Sequence, residues 1–174
     1  MKKLDNRGFT LTELIVVMSI LGILAGALTA SVGQIFSNQT RKFVNDVDAL
    51  LSRCRVEILS GAPANNTNVE LGLGSDGHYY VTFRKGGDVK EEQKLSNKSA
   101  ACAFIQNDDP DTEIEITEDT QRLYISFDRR TGAMVSEYVE GGTISDVSVT
   151  QIDIGGQKIT LVPVTGYHSI GGGA

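Results

Sequence analysis

The chain has 174 residues, 40% of them hydrophobic, with 16 basic and 22 acidic side chains and a net charge of −6 at pH 7. An acidic chain lacks the basic surface that general nucleic-acid binding needs, so no nucleic-acid partner is expected. Its two histidines, His78 and His168, lie apart from any metal-type or nucleophile spacing, so neither an enzyme nor a cofactor or metal site is predicted.

The first eight residues form a short basic leader. It carries Lys2, Lys3 and Arg7 against Asp5, and the positive-inside rule places such a segment on the cytoplasmic side of a membrane. Residues 9–174 hold the remaining 13 basic and 21 acidic side chains, a balance of −8. This reversal of sign predicts a cytoplasmic N-terminus followed by an extracytoplasmic body.

An apolar run with one carboxylate at its entrance follows the leader. No ionisable residue occurs from Leu14 to Val32, and the next charge after Glu13 is Arg41. At helical rise the uncharged stretch spans roughly 30–40 Å, enough to cross the hydrocarbon core of a bilayer. A charged Glu in such a segment costs on the order of 2–3 kcal/mol unless it is paired. The sequence therefore predicts a transmembrane helix half at residues 9–33 and a functional role for Glu13.

The order of these segments differs from that of a secretory signal peptide, which places its cleavage site after the apolar region. A small-residue candidate for such a site is Ala25-Gly26-Ala27, and cleavage there would give a mature chain that starts at Leu28. No turn-forming residue follows this site, and the helical pattern continues through Phe36. Retention of the helix is therefore favoured, and signal-peptide cleavage is the alternative.

The segment Arg7-Gly8-Phe9-Thr10-Leu11-Thr12-Glu13-Leu14-Ile15 resembles the type III signal of type IV pilins and pseudopilins. In that family the prepilin peptidase cuts after the glycine and methylates the new N-terminal phenylalanine. The resemblance implies cleavage between Gly8 and Phe9, N-methylation of Phe9, and an assembly role for Glu13 beside the N-terminal amine of a neighbouring subunit. It also implies other pilin subunits, an inner-membrane assembly platform and membrane lipid as partners.

The resemblance further implies a single-pass cell membrane protein that becomes a structural subunit of a pilus or pseudopilus. It does not separate a surface pilus from a secretion pseudopilus or a DNA-uptake system. A different class of protein is the alternative: a single-span membrane-anchored or secreted binding domain that assembles no fibre.

The second half of the helix, residues 34–61, is amphipathic. Apolar residues recur there at spacings of mostly three and four, with charged residues between them, which predicts one buried face. Gly61, Pro63 and the polar residues 65–68 then end the helix. The apolar positions are Phe36, Phe43, Val47, Leu50, Cys54 and Ile58.

Residues 62–174 are predicted to form one extracytoplasmic β-rich domain of six or seven mostly antiparallel strands. Because one long helix precedes consecutive hairpins, the sheet must bury a face, and the amphipathic half is the expected cover. The predicted fold is therefore α+β and pilin-like: a long N-terminal helix, membrane-spanning in its first half, packed by its second half on an antiparallel β-sheet domain. The predicted strands are 78–84, 113–117, 123–127, 133–139, 146–154 and 158–164.

Two late segments, 125–132 and 158–166, are similar to segments of minor pilins and minor pseudopilins that carry a two-sheet β domain. This weaker resemblance implies the minor class of subunit.

Two side-chain groups leave alternatives open. Cys54 and Cys102 could form a disulfide that closes a loop of nearly 50 residues and contributes about 3–4 kcal/mol, or Cys54 could be a free core thiol on the apolar stripe.

The acidic residues Asp108, Asp109 and Asp111 could offer oxygen ligands to calcium. They lack the alternating acidic ladder of a calcium loop, so a solvated turn is favoured.

Overall fold

The structure is a computed structural model that describes residues 11–63 and 66–171, without the side chains of residues 27–33 and 35. The leader at 1–8 and the residue Phe9 lie outside the described residues. The chain divides into two units, Met1–Ser37 and Asn38–Ala174.

One long helix begins the described chain. Helix α1 spans Leu11–Leu59. It ends where the sequence predicts, because the Gly61 amide donates to the Ile58 carbonyl oxygen at 3.1 Å and the Ala62 amide donates to that of Glu57 at 2.9 Å. Gly61 adopts a φ of 120°, which a residue with a Cβ rarely takes.

The described residues after the helix form two antiparallel sheets. The first sheet has six strands in the order β3-β2-β1-β6-β7-β8, and the second has five in the order β11-β10-β9-β4-β5. The strands are β1 Asn68–Leu73, β2 Tyr79–Lys85, β3 Asp88–Lys94, β4 Cys102–Gln106, β5 Glu113–Glu115, β6 Arg122–Phe127, β7 Met134–Glu140, β8 Thr143–Val147, β9 Val149–Ile154, β10 Gln157–Val162 and β11 Tyr167–Gly171.

The core lies between the helix and the two sheets of the second unit. One cluster of buried side chains joins the amphipathic half of α1 to residues of both sheets, which confirms the predicted α+β architecture. Phe36 is an exception, because it is 43% exposed and belongs to the first unit. The stripe therefore begins at Phe43. Its buried members are Phe43, Val44, Val47, Leu50, Leu51, Cys54 and Ile58.

Two predicted hairpins are confirmed. Strands β6 and β7 pair with Leu123 opposite Tyr138, and β9 and β10 pair with Ile154 opposite Gln157. The prediction of a single strand at 146–154 is wrong. The strand is interrupted at Ser148, where the chain passes from β8 of the first sheet to β9 of the second. The predicted number of strands is also too low.

Candidate functional site

The first unit exposes an apolar helical surface, named here the apolar segment, at residues 11–26. Every side chain of the apolar segment is exposed, and its large apolar side chains range from 47% exposed at Val17 to 78% at Leu11. Single exposed apolar residues are ordinary, but a continuous apolar surface marks a binding site for lipid or protein. Because the apolar residues occupy all sides of the helix, the segment is suited to complete burial.

The polar groups of the apolar segment are few. Ser19 donates its hydroxyl hydrogen to the Ile15 carbonyl oxygen at 2.8 Å, so the helix itself satisfies that group. Glu13, the one ionisable side chain of the segment, lies in the first turn of α1, where the positive end of the helix dipole favours a carboxylate. Among the described residues, no helix combines the length and the apolarity needed to cross a membrane.

A Ser, a His and an Asp meet in the second unit. The His168 Nε2 atom lies 3.0 Å from the Ser52 Oγ atom and 3.7 Å from the Asp48 Oδ1 atom, and the imidazole is only 7% exposed. A catalytic relay needs the hydroxyl and the carboxylate on opposite ring nitrogens. Here both approach Nε2, while Nδ1 faces the Gly166 carbonyl oxygen at 3.4 Å. The cluster therefore ties strand β11 to α1 and does not form that relay.

Sequence reasoning missed this cluster because 116 residues separate Ser52 from His168. Asp48 and Ser52 are four residues apart and so share one helix face, which is the only local signal. The other histidine, His78, has a structural role: its Nδ1 atom lies 2.8 Å from the Leu95 carbonyl oxygen.

The acidic residues predicted as a turn or a calcium loop form a turn. The Asp109 side chain accepts from the Asp111 amide at 3.0 Å and caps the short 3-10 helix Pro110–Thr112. The Asp108 amide donates to the Thr150 hydroxyl oxygen at 3.0 Å. Within residues 11–63 and 66–171, no three His, Cys, Asp or Glu side chains are grouped to hold a metal ion.

Both cysteines are free thiols buried in the core, which corrects the disulfide alternative. Cys54 lies on the buried stripe of α1, and Cys102 begins strand β4. Burial raises the pKa of the Cys54 thiol to about 12, and it raises the pKa of Cys102 as well. Both thiols are therefore neutral in the folded core. Because the thiolate is the reactive form, neither thiol is reactive there.

We expect neither thiol to react with a water-soluble disulfide reagent at pH 8 in the native protein. Unfolding the same sample in denaturant without reductant should expose two reactive thiols per chain. The measurement is the absorbance of the released thiolate before and after unfolding. A disulfide between Cys54 and Cys102 would instead give no reactive thiol in the denatured sample.

Residues 3–29 match the family model described as the prokaryotic N-terminal methylation motif. Comparison with curated proteins and with solved structures gave no match. The chain thus carries a prepilin-type N-terminal methylation motif, which indicates the type IV pilin and pseudopilin family. The motif implies processing by a prepilin peptidase and assembly with pilins, and it indicates a structural subunit.

Proposed function

We propose that this chain is a structural subunit of a type IV pilus or pseudopilus. The prepilin peptidase cleaves it after Gly8 and methylates Phe9, and the mature subunit assembles through its N-terminal helix. The methylation motif at residues 3–29 carries this proposal. The apolar segment adds support, because its exposed surface needs a cover that neighbouring subunits in a fibre core would supply.

Before assembly the chain is a single-pass cell membrane protein. The basic leader stays in the cytoplasm, residues 9–33 lie in the bilayer, and residues 62–174 form the extracytoplasmic domain. Support comes from the uncharged run between Glu13 and Arg41 and from the reversal of charge on its two sides.

Glu13 sets the axial register of the fibre. Cleavage after Gly8 creates a positive amine on Phe9, and the Glu13 carboxylate of one subunit pairs with that amine on its neighbour. In an apolar bundle a paired carboxylate is tolerated and an unpaired one is strongly unfavourable. Only an alignment that pairs the two groups is then stable.

We place the subunit in the minor class. The two segments that resemble minor subunits lie against each other: a Cβ added at Gly166 of the second segment would overlap the Gly132 carbonyl oxygen of the first. At Gly166, where φ is 64°, an added Cβ would lie 3.1 Å from the Phe127 ring. The two-sheet topology supports the same class.

Shearing of cells tests the proposal. The full chain is expressed in cells that contain a prepilin peptidase and an assembly ATPase, and in matched cells that lack the peptidase. We expect the processed chain in the sheared fibre fraction of the first cells, at a small fraction of the main subunit. In the second cells it should stay in the membrane with its leader.

A processed chain that is absent from the fibre fraction of peptidase-containing cells would contradict assembly. Recovery as a membrane-bound or secreted monomer would then favour the binding-domain alternative.

A further inference from the structure

The outer face of the first sheet carries a hollow of about 410 Å³ that the sequence did not reveal. It opens over the central strand β1, on the face opposite the core, where Glu70 projects between the buried residues Val69 and Leu71. Polar and charged side chains predominate in its lining, including Arg84 from β2 and Arg122 from β6. Its lining comes from four adjacent strands, β3, β2, β1 and β6, and from the turn between β1 and β2.

Two guanidinium groups in the hollow share one carboxylate. The Arg84 Nε atom donates to Glu70 Oε2 at 2.9 Å, and the Arg122 Nε atom donates to Glu70 Oε1 at 3.2 Å. The side chains of Glu70, Arg122 and Arg84 are 14%, 25% and 36% exposed, so the carboxylate is largely shielded from water while the arginines are partly exposed. The two guanidinium groups and the Glu70 carboxylate together carry a charge of +1, while Glu92 and Asp76 add two carboxylates to the lining, of which Asp76 is ion-paired to Lys94.

Each guanidinium keeps donors that Glu70 does not use. The Nη1 atom of Arg122 donates to the Gln121 carbonyl oxygen at 2.7 Å. The Nη1 atom of Arg84 donates to the Gly87 carbonyl oxygen at 3.5 Å. The Nη2 atoms of both arginines make no hydrogen bond to the part of the chain that the structure describes. Glu70 therefore holds the two cations in place while leaving part of each fork open for an acceptor.

Gly72 is required for this arrangement. It stands directly opposite Arg122 on β6 and Tyr80 on β2, and a Cβ there would lie only 2.3 Å from the Arg122 Cδ atom. The Arg122 side chain thus occupies the space above the glycine. Glycine weakens the interior of a strand and often marks a close approach of this kind.

We propose that this hollow binds an anionic group, a phosphate or a carboxylate, on the guanidinium groups of Arg84 and Arg122. Both groups offer the paired oxygens that an arginine fork recognises. Glu92 and Asp76 also line the hollow, and their charge disfavours a polyanion such as nucleic acid. The ligand is therefore a small molecule, or the end of a larger one, with a single anionic group.

NMR titration of the arginine side chains tests this proposal. The full-length protein in detergent micelles is titrated at constant ionic strength with inorganic phosphate and, separately, with acetate. We expect saturable shifts of the Arg84 and Arg122 Nε–Hε signals in the millimolar range. A response to phosphate alone identifies a phosphorylated ligand, a response to acetate alone identifies a carboxylic acid, and either supports the site.

Three variants distinguish specific anion binding in the hollow from nonspecific electrostatic attraction to the protein surface. Gly72→Ala keeps every charge but displaces Arg122, and Arg122→Lys keeps the charge but removes the fork, so each should weaken binding at least about fivefold. Arg53→Gln is the matched control: this arginine is ion-paired to Glu91 outside the hollow, and its loss should leave the affinity unchanged. A dispersed amide spectrum shows that each variant is folded.

The absence of saturable shifts with both anions would overturn the proposal, as would equal affinity in the wild type and in folded Arg122→Lys and Gly72→Ala. Cleavage and assembly do not enter this experiment, so its failure would leave the proposed function untouched.

Discussion

Replacing Glu13 with Gln is expected to leave membrane insertion and cleavage intact and to reduce incorporation into fibres at least about tenfold. Glutamine matches the size of the side chain but cannot neutralise the N-terminal amine of the neighbouring subunit. That amine would remain as an unpaired charge in an apolar bundle, at a cost of several kcal/mol, and each 1.4 kcal/mol corresponds to about a tenfold change in equilibrium.

The measurement for Glu13→Gln is the ratio of chain in the sheared fibre fraction to processed chain in the membrane. Glu13→Val should behave in the same way, because it also removes the charge. The control is Glu57→Gln, which removes a carboxylate from the second unit, where Glu57 pairs with Lys85 on the globular domain. Normal incorporation of Glu13→Gln or Glu13→Val would contradict the assigned role.

Replacing Leu51 with Ala is expected to lower the free energy of unfolding by about 2–5 kcal/mol. Leu51 lies on α1 with no exposed surface, inside the cluster that joins the helix to both sheets. Truncation removes buried methyl groups and leaves a cavity that close-packed neighbours fill only in part. Denaturant unfolding of the full chain, followed by circular dichroism, measures the change.

Leu59→Ala is the matched control for the core. Leu59 is the last residue of the same helix and is 47% exposed, so its truncation should change the free energy of unfolding by less than about 1 kcal/mol. Equal losses for Leu51→Ala and Leu59→Ala would show that the helix does not pack on the sheets as described.

The helix and its buried stripe could be predicted from the sequence because both are encoded locally. A 3.6-residue period places Phe43, Val47, Leu50, Cys54 and Ile58 on one face, and all five are buried. The motif around Gly8 is equally local, and the family model matches residues 3–29.

Several strands could not be predicted because their burial depends on distant neighbours. Strand β3, Asp88–Lys94, is an exposed sheet edge with five charged residues of seven, so it has no apolar alternation. Strand β4 is buried between β9 and β5, and its apolar run of Cys102–Ile105 has no period of two. The passage between sheets at Ser148 contains no Gly or Pro to indicate it.

The two side-chain clusters of the globular domain, around His168 and around Glu70, could not be predicted for the same reason. Glu70 and Arg122 are 52 residues apart and meet only because β1 pairs with β6. Gly72 gave the one local signal, since a glycine inside a strand points to a close approach. The register that places it opposite Arg122 is a property of the folded sheet.

The mass of the mature N-terminal peptide tests the central claim most directly. The chain is purified from the membrane of peptidase-containing cells, digested and analysed by mass spectrometry. The account predicts a peptide that begins at Phe9 with one added methyl group and the loss of the eight leader residues. A chain that begins at Leu28, or one that retains Met1, would contradict it.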